Sequence, residues 1–182
     1  IIRIIDYGLE PDAPYYVTEY CEGGSLEDVG AARFKGDIRR TVEVLLPIVD
    51  ALKEAHRAGV IHRDGKPANI LFRADGTPVL ADFGICHMEG NQRDRVTLSD
   101  EAVGSLNYIA PEMESGQHRL GAPTDRTDVY SLGKVLHWML SGGMIFSRED
   151  HRANSLAEVL GDKRFEHVHT WLLELMVVRD PN

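Results

Sequence analysis

Apolar positions recur at two different periods along this chain, and the change of period divides it into regions. Ile1 to Asp6 and Tyr15 to Tyr20 are rich in β-branched and aromatic residues and predict two strands. Gly8 to Pro14 between them is turn-like, so the strands pair as a hairpin. Glu22-Gly23-Gly24-Ser25 ends the second strand, and Ser25 is placed to cap a short helix from Leu26. From Asp37 to Gly59 the period becomes helical, with Asp37 as N-cap and Gly59 as stop. Ile38, Val42, Leu45, Val49 and Leu52 form its predicted apolar stripe. Pro47 interrupts this helix at a cost of ~3 kcal/mol and predicts a bend. Three short apolar stretches follow, at 60–61, 70–72 and 79–81, with Asp75-Gly76 as a hairpin turn. The polar run from Glu89 to Ser105 predicts a mobile loop. Helix resumes near Pro111-Glu112-Met113. Asp128 to Leu140 is apolar on nearly every side and predicts a buried helix. A last amphipathic helix carries Val168, Trp171, Leu172, Leu175 and Met176 as its expected inner face. The fold class is α+β: a few strands first, then mostly helix.

Composition adds limits. The 182 residues suffice for one compact domain. Lys and Arg number 20 against 29 Asp and Glu, a net charge of −9. Such a chain has no bulk attraction for nucleic acid or for an anionic membrane. Its charged surface reads as solvated, including Arg39-Arg40 and Arg93 to Arg95. Cys21 and Cys86 stand far apart in no zinc or redox spacing and read as small buried residues in a reducing, cytoplasmic setting. The histidines have no metal-ligand companions at useful spacing. The longest apolar runs are too short to span a bilayer. No leader pattern opens the chain, which does not start with Met, and both ends read as cut.

The chemistry concentrates between residues 62 and 82. Phosphoryl transfer needs a group that orients the attacking hydroxyl, oxygen ligands that hold magnesium on the phosphates, and positive charge for the transferring oxygens. Asp64 can accept the hydroxyl's hydrogen bond. Asn69 and Asp82 offer hard oxygen ligands. Lys66 stands two residues after Asp64, on the same side of an extended loop.

These residues carry a resemblance. His62-Arg63-Asp64 followed by Asn69 resembles the catalytic loop of protein kinases. Asp82-Phe83-Gly84 resembles their magnesium motif, and Ala110-Pro111-Glu112 the end of their activation segment. Asp128-Val129-Tyr130-Ser131-Leu132-Gly133 resembles the start of their central buried helix. The order and separations hold over essentially the whole chain. The resemblance implies a protein-kinase-like fold: residues 1–20 as the end of the small lobe and hinge start, a short β-hairpin remnant, and 21–182 as a mostly helical large lobe truncated at its C-terminus. It implies ATP with Mg²⁺ or Mn²⁺ as cofactors, and protein serine or threonine hydroxyls as substrate. It implies no nucleic-acid partner and no membrane contact from this segment. By position, Asp64 is the base, Lys66 the serine/threonine-type lysine, and Asn69 and Asp82 the metal ligands. Thr18 is the gatekeeper, the Glu19 carbonyl and Cys21 amide pair with adenine, and Leu71 packs beneath it. His62, Phe83 and Ile4 belong to a stack of side chains, with His62 structural rather than acid or base. Asp128 braces the loop backbone. Arg63 pairs with an activation-loop phosphate, for which Thr97 and Ser99 are candidates, with Glu101 a carboxylate nearby. Ser105 contacts Asp64 and Lys66, and Glu112 awaits an arginine beyond Asp180-Pro181-Asn182. Bacterial members of the family are the nearest in pattern.

Gly65 departs from that pattern, which has a large apolar residue there, and implies a looser loop or a repacked neighbour. No glycine-rich phosphate loop, no Val-Ala-Ile-Lys-like strand and no partnering glutamate occurs, so the 182 residues alone are expected to turn over little. Two other functions compete. A small-molecule phosphotransferase shares a His-x-Asp loop but generally lacks Lys66 and Ala110-Pro111-Glu112. A pseudokinase scaffold usually loses Asp64, Asn69 or Asp82, all present here.

Overall fold

A computed structural model describes residues 1–9, 13–83, 107–113, 122–147, 150 and 155–178. The expected mobile loop at 89–105 lies outside them. The hairpin forms from β1 (Ile4–Gly8) and β2 (Tyr15–Thr18), antiparallel, with Ile4 opposite Thr18 and Tyr7 opposite Tyr16. β1 therefore starts later than the sequence suggests, and a register irregularity separates Ile4 from Asp6. A two-stranded sheet buries little by itself, and Ile4, Ile5, Tyr7 and Val17 are all exposed.

Gly23 and Gly24 carry the chain from this hairpin to the rest of the molecule. The Gly23 N–H donates to Phe72 O at 2.9 Å, and the Phe72 N–H donates to Gly24 O at 2.8 Å. A Cβ on Gly23 would lie 2.7 Å from that of Phe72, so the approach requires glycine. Ser25 then caps α1 (Leu26–Val29) with a full capping box: its Oγ accepts from Asp28 N, and Asp28 Oδ2 accepts from Ser25 N. A 3₁₀ turn, Ala31–Phe34, leads to α2 (Ile38–Arg57).

Asp37 caps α2 through Arg40 N at 2.9 Å. The helix ends in a Schellman closure: Val60 N–H reaches Ala55 O, Gly59 N–H reaches His56 O, and Gly59 has φ 74°. Pro47 sits on the solvent side, and the helix continues through it. Its missing donor leaves the exposed Glu43 carbonyl to water. The predicted apolar stripe is only partly right. Leu45 and Leu52 are buried, but Ile38, Val42 and Val49 are 40–47% exposed. The buried face is Thr41, Val44, Leu45, Ile48, Ala51, Leu52 and Ala55. Its small residues allow close packing, and no apolar count would select them.

β3 (Ile70–Phe72) and β4 (Pro78–Leu80) form a second hairpin, with Ile70 opposite Leu80. Asp75 accepts from Thr77 N at its turn, and Gly76 takes φ 82°. At Pro111, where helix is expected to resume, the described residues Pro111–Met113 form a 3₁₀ turn. α3 (Asp125–Ser141) is buried along almost all its length and packs against α2 and the 3₁₀ turn Ala31–Phe34, bringing Leu132, Val135, Leu136, Met139 and Leu140 into one core with Ile70, Phe72 and Leu80. Gly133 lets the C-terminal segment come close, for a Cβ there would lie 2.8 Å from Val177 Cγ2.

After α4 (Leu156–Leu160), residues 166–176 form a mixed helical stretch whose middle, His169–Leu173, is π-helical. The expected inner face holds only at Val168 and Met176, which pack against the core. Trp171 and Leu175 are each 74% exposed and Leu172 is 44% exposed, whereas Phe165, His169, Leu173 and Val177 are buried. The buried set keeps a four-residue step, and the wider π turn displaces the register that a 3.6-residue count assumes. Among the described residues no helix is long and apolar enough to cross a membrane.

Candidate functional site

The segment 62–69 has no regular helix or strand until Pro67–Asn69 forms a 3₁₀ turn, so its shape must come from side chains. Asp128, in the first turn of α3, supplies much of it. Its carboxylate is 1% exposed and accepts the His62 N–H at 2.9 Å and the Arg63 N–H at 2.8 Å. His56 Nε2, from the end of α2, approaches the same carboxylate at 2.7 Å, and a carboxylate can only accept, so the ring donates.

His62 is fully buried. Its Nε2 lies 2.8 Å from Ala81 O and its Nδ1 lies 3.3 Å from Asp64 N. These two bonds fit the tautomer protonated at Nε2. Its ring meets Phe83 edge-on at 4.7 Å. The Ala81 N–H donates to Asn69 O at 2.9 Å. Both ends of the loop, His62 and Asn69, are thereby tied to Ala81, 19 and 12 residues further along the chain.

Within the loop, Asp64 Oδ2 accepts from Lys66 Nζ at 2.9 Å and from Asn69 Nδ2 at 2.9 Å. Asn69 Nδ2 also donates to Asp64 O at 2.8 Å. Both side-chain bonds fall on one oxygen, so among the described residues Oδ1 is left for an incoming donor. Asn69 uses its amide nitrogen inward, and its side-chain oxygen makes no bond to Asp64. Asp82 Oδ1 accepts from the Tyr16 hydroxyl at 2.6 Å, across the junction with the first hairpin. Among the described residues no three His, Cys, Asp or Glu side chains cluster as a metal cage. Asn69 and Asp82 carry hard oxygen donors, the type that a hard cation accepts.

Arg63 and Asp82 are the non-glycine residues with positive φ among those described, at 68° and 53°. Such backbone costs ~1–3 kcal/mol per residue and persists only where neighbours dictate it. The Nε of Arg63 is buried and has no partner among the described residues.

The first hairpin contributes the other side. Thr18, Ile4 and Tyr7 line an apolar cavity of about 400 Å³ with Asp82 and Phe83. Cys21 and Leu71 do not line it; they lie along the linker and in β3. Burial pushes the Cys21 thiol pKa up. Glu19 sits between these regions. Arg73, just past β3, binds it through Nε to Oε2 at 2.8 Å and Nη2 to Oε1 at 2.7 Å. Arg3 N–H adds 2.8 Å to Oε1. The guanidinium, first, and this amide bring the Glu19 carboxyl down to about 2. A larger groove of about 560 Å³ beside Glu158 and Glu174 holds none of these motif residues.

The Gly65 departure is met by the helix. A Cβ on Gly65 would lie 2.9 Å from that of Ser131 in α3. The neighbouring void, lined by Ile48, Leu52, Leu80 and Val135, is only about 10 Å³. Glu112 Oε1 accepts from Thr127 Oγ1 at 2.6 Å. Gly84, Thr97, Ser99, Glu101, Ser105 and Cys86 lie outside the described residues, as does Asp180-Pro181-Asn182. His56, Tyr16 and Arg73 were not singled out from the sequence. Each meets its partner across 54 to 72 residues, and no local spacing announces such contacts.

Comparison with known proteins gives a consistent result. The protein kinase domain family matches residues 1–175. A probable serine/threonine-protein kinase of Clostridium perfringens is 34% identical over 81% of this chain and 21% of its own length. Mycobacterium tuberculosis PknL is 35% identical over 81% of the chain and 35% of its own. PknB from the same species is 36% identical over 71% and 20%. The chain thus spans about a fifth to a third of these curated relatives. The crystal structure of Rad53 1-466 in complex with AMP-PNP superposes with a TM-score of 0.72 at 26% identity, covering 100% of this chain and 46% of that one.

Two outcomes are expected of this geometry. Asp128→Ala leaves two buried N–H groups and a ring donor unpaired, and should cost about 3 kcal/mol or more in urea unfolding. Glu19 has a folded pKa depressed from 4.5 to about 2, so its contribution to stability is present above pH 4.5 and is lost as pH falls toward 2. Glu19→Gln should therefore flatten the decline of the urea midpoint between pH 4.5 and 3. An equally steep decline in the variant would refute the assignment.

Proposed function

The chain belongs to the protein kinase family, and from that membership we propose that it transfers the γ-phosphoryl group of ATP to serine or threonine hydroxyls of protein substrates. The observation that carries the reading is the Asp64 carboxylate with Lys66 and Asn69 on one oxygen. A carboxylate so held presents Oδ1 in a fixed direction. An incoming hydroxyl donates to it, and orientation of the nucleophile is the main demand of a loose phosphoryl transfer. Asp64 then receives the hydroxyl proton as the new P–O bond forms and the bond to ADP breaks. Lys66 places a cation where the transferring oxygens gather charge. Asn69 and Asp82 are the residues that would hold magnesium, which when bound neutralises phosphate charge.

The nucleotide reading divides the chain at the linker. Residues 1–20 form the small-lobe side of the cleft and 21–182 the large-lobe side. The Glu19 carbonyl and Cys21 amide pair with adenine, Thr18 is the gatekeeper and Leu71 packs beneath the base. The family membership and the AMP-PNP held by Rad53 support this placement. Arg63 pairs with an acceptor from the segment after Gly84, and its buried unpartnered Nε favours that reading. Thr97 and Ser99 are the proposed phosphorylation sites.

Asp64→Asn preserves shape and removes the carboxylate's charge and its capacity to take the hydroxyl proton. In the full-length protein it should lower phosphorylation of a serine peptide by about 10³-fold with unchanged melting. Activity within threefold of wild type would exclude Asp64 from the reaction. Mass spectrometry of the active protein should find phosphate on Thr97 or Ser99, abolished in Asp64→Asn. An active protein bearing neither would refute the regulatory assignment.

A further inference from the structure

We propose that Arg73 is a positioning residue for the nucleotide base, fixing through Glu19 the linker that reads adenine and so sharpening the choice of adenine over guanine. The inference rests on the hinge reading above and adds to it a residue from the large-lobe hairpin. β2 ends at Thr18, so the linker beyond it has no ladder to hold it. Tyr20 is 85% exposed, and among the described residues the linker's bonds to the rest of the molecule gather at its two ends. At one end Arg73 grips the Glu19 carboxylate with two bonds, and the Glu19 N–H donates to Arg3 O at 3.0 Å. At the other, the Gly23 N–H donates to Phe72 O. Both large-lobe anchors thus come from adjacent residues, Phe72 and Arg73, on one rigid hairpin. Cys21, whose amide is the proposed base partner, lies between them and is buried.

The pair differs from an ordinary surface salt bridge, which is worth little. The Glu19 side chain is 15% exposed and that of Arg73 37%. The contact is a two-point fork, a geometry that lysine cannot reproduce. Hinge bonds to the base are equally present in ground and transition states. Their loss therefore raises KM and leaves kcat alone. GTP carries a carbonyl where adenine has its amino group, never makes the Glu19 bond, and is less affected by a loosened linker.

The test uses the full-length protein with Arg73→Met, which keeps the aliphatic stem, and Arg73→Lys as a milder second variant. Arg73→Met should raise KM for ATP and Kd for ADP about tenfold, the scale of one positioned charge-assisted bond. Its kcat should stay within twofold and the ADP-over-GDP preference should narrow by a similar factor. Arg73→Lys should fall between. Glu19→Gln combined with Arg73→Met should be no worse than the stronger single change, because one residue acts through the other. Wild-type affinity for ADP in Arg73→Met, or an equal loss for ADP and GDP with lowered melting, would overturn the positioning role and leave the nucleotide reading intact. A wild-type protein that binds neither ADP nor ATP would overturn that reading itself.

Discussion

A buried carboxylate is costly unless it is saturated with donors, and Asp128 is held by two backbone amides and an imidazole. It sits in the first turn of α3, where the helix dipole favours negative charge. Three donors converge on it: the amides of His62 and Arg63 and the ring of His56. The loop at 62–69 has no ladder to define it, so this single demand sets where the loop starts and which way it faces. Once His62 is held, its ring reaches Ala81 O, Ala81 reaches Asn69 O, and Asn69 reaches Asp64. The chemistry is placed by a sequence of bonds that starts inside the core helix.

The strained residues sit along that same sequence. Arg63 and Asp82 adopt left-handed backbone without being glycine. Each has a neighbour that is firmly fixed: Arg63 by its own amide on Asp128, Asp82 by Ala81, which bonds in both directions. A loop free to relax would shed a strain of this size. Its retention at a proposed metal ligand and beside the proposed base places rigidity where phosphoryl transfer needs it.

Much of this was legible in the sequence, and the limits follow from physics. Ser25, Asp37 and Asp75-Gly76 are local signals, and each appears as the cap or turn its residue type dictates. The faces of two helices were legible only in part. On α2 both sides carry aliphatic residues, and the core takes the side with Thr41, Ala51 and Ala55 because small residues allow closer approach. In the last stretch a π turn defeats any 3.6-residue count, and Trp171 faces out. The candidate site shows the same division. His62, Asp64, Lys66, Asn69 and Asp82 could be named from spacing and resemblance. Tyr16, His56 and Arg73 could not, since only the tertiary fold brings them to their partners.

Gly65 shows how a departure from a family pattern is absorbed. A large side chain at this position would fill the space between the loop and α3, and its loss could have left a cavity or a slack loop. A cavity the size of a leucine side chain would cost several kcal/mol. The residual void is instead about 10 Å³, at the lower limit for one water. Ser131 fills the space: it stands 2.9 Å from where a Cβ on Gly65 would be, and its hydroxyl is satisfied by Tyr108 O at 2.9 Å. The loop is therefore held against the helix by backbone proximity rather than by an anchoring side chain. Restoring the larger residue here would push apart the two surfaces that Asp128 draws together.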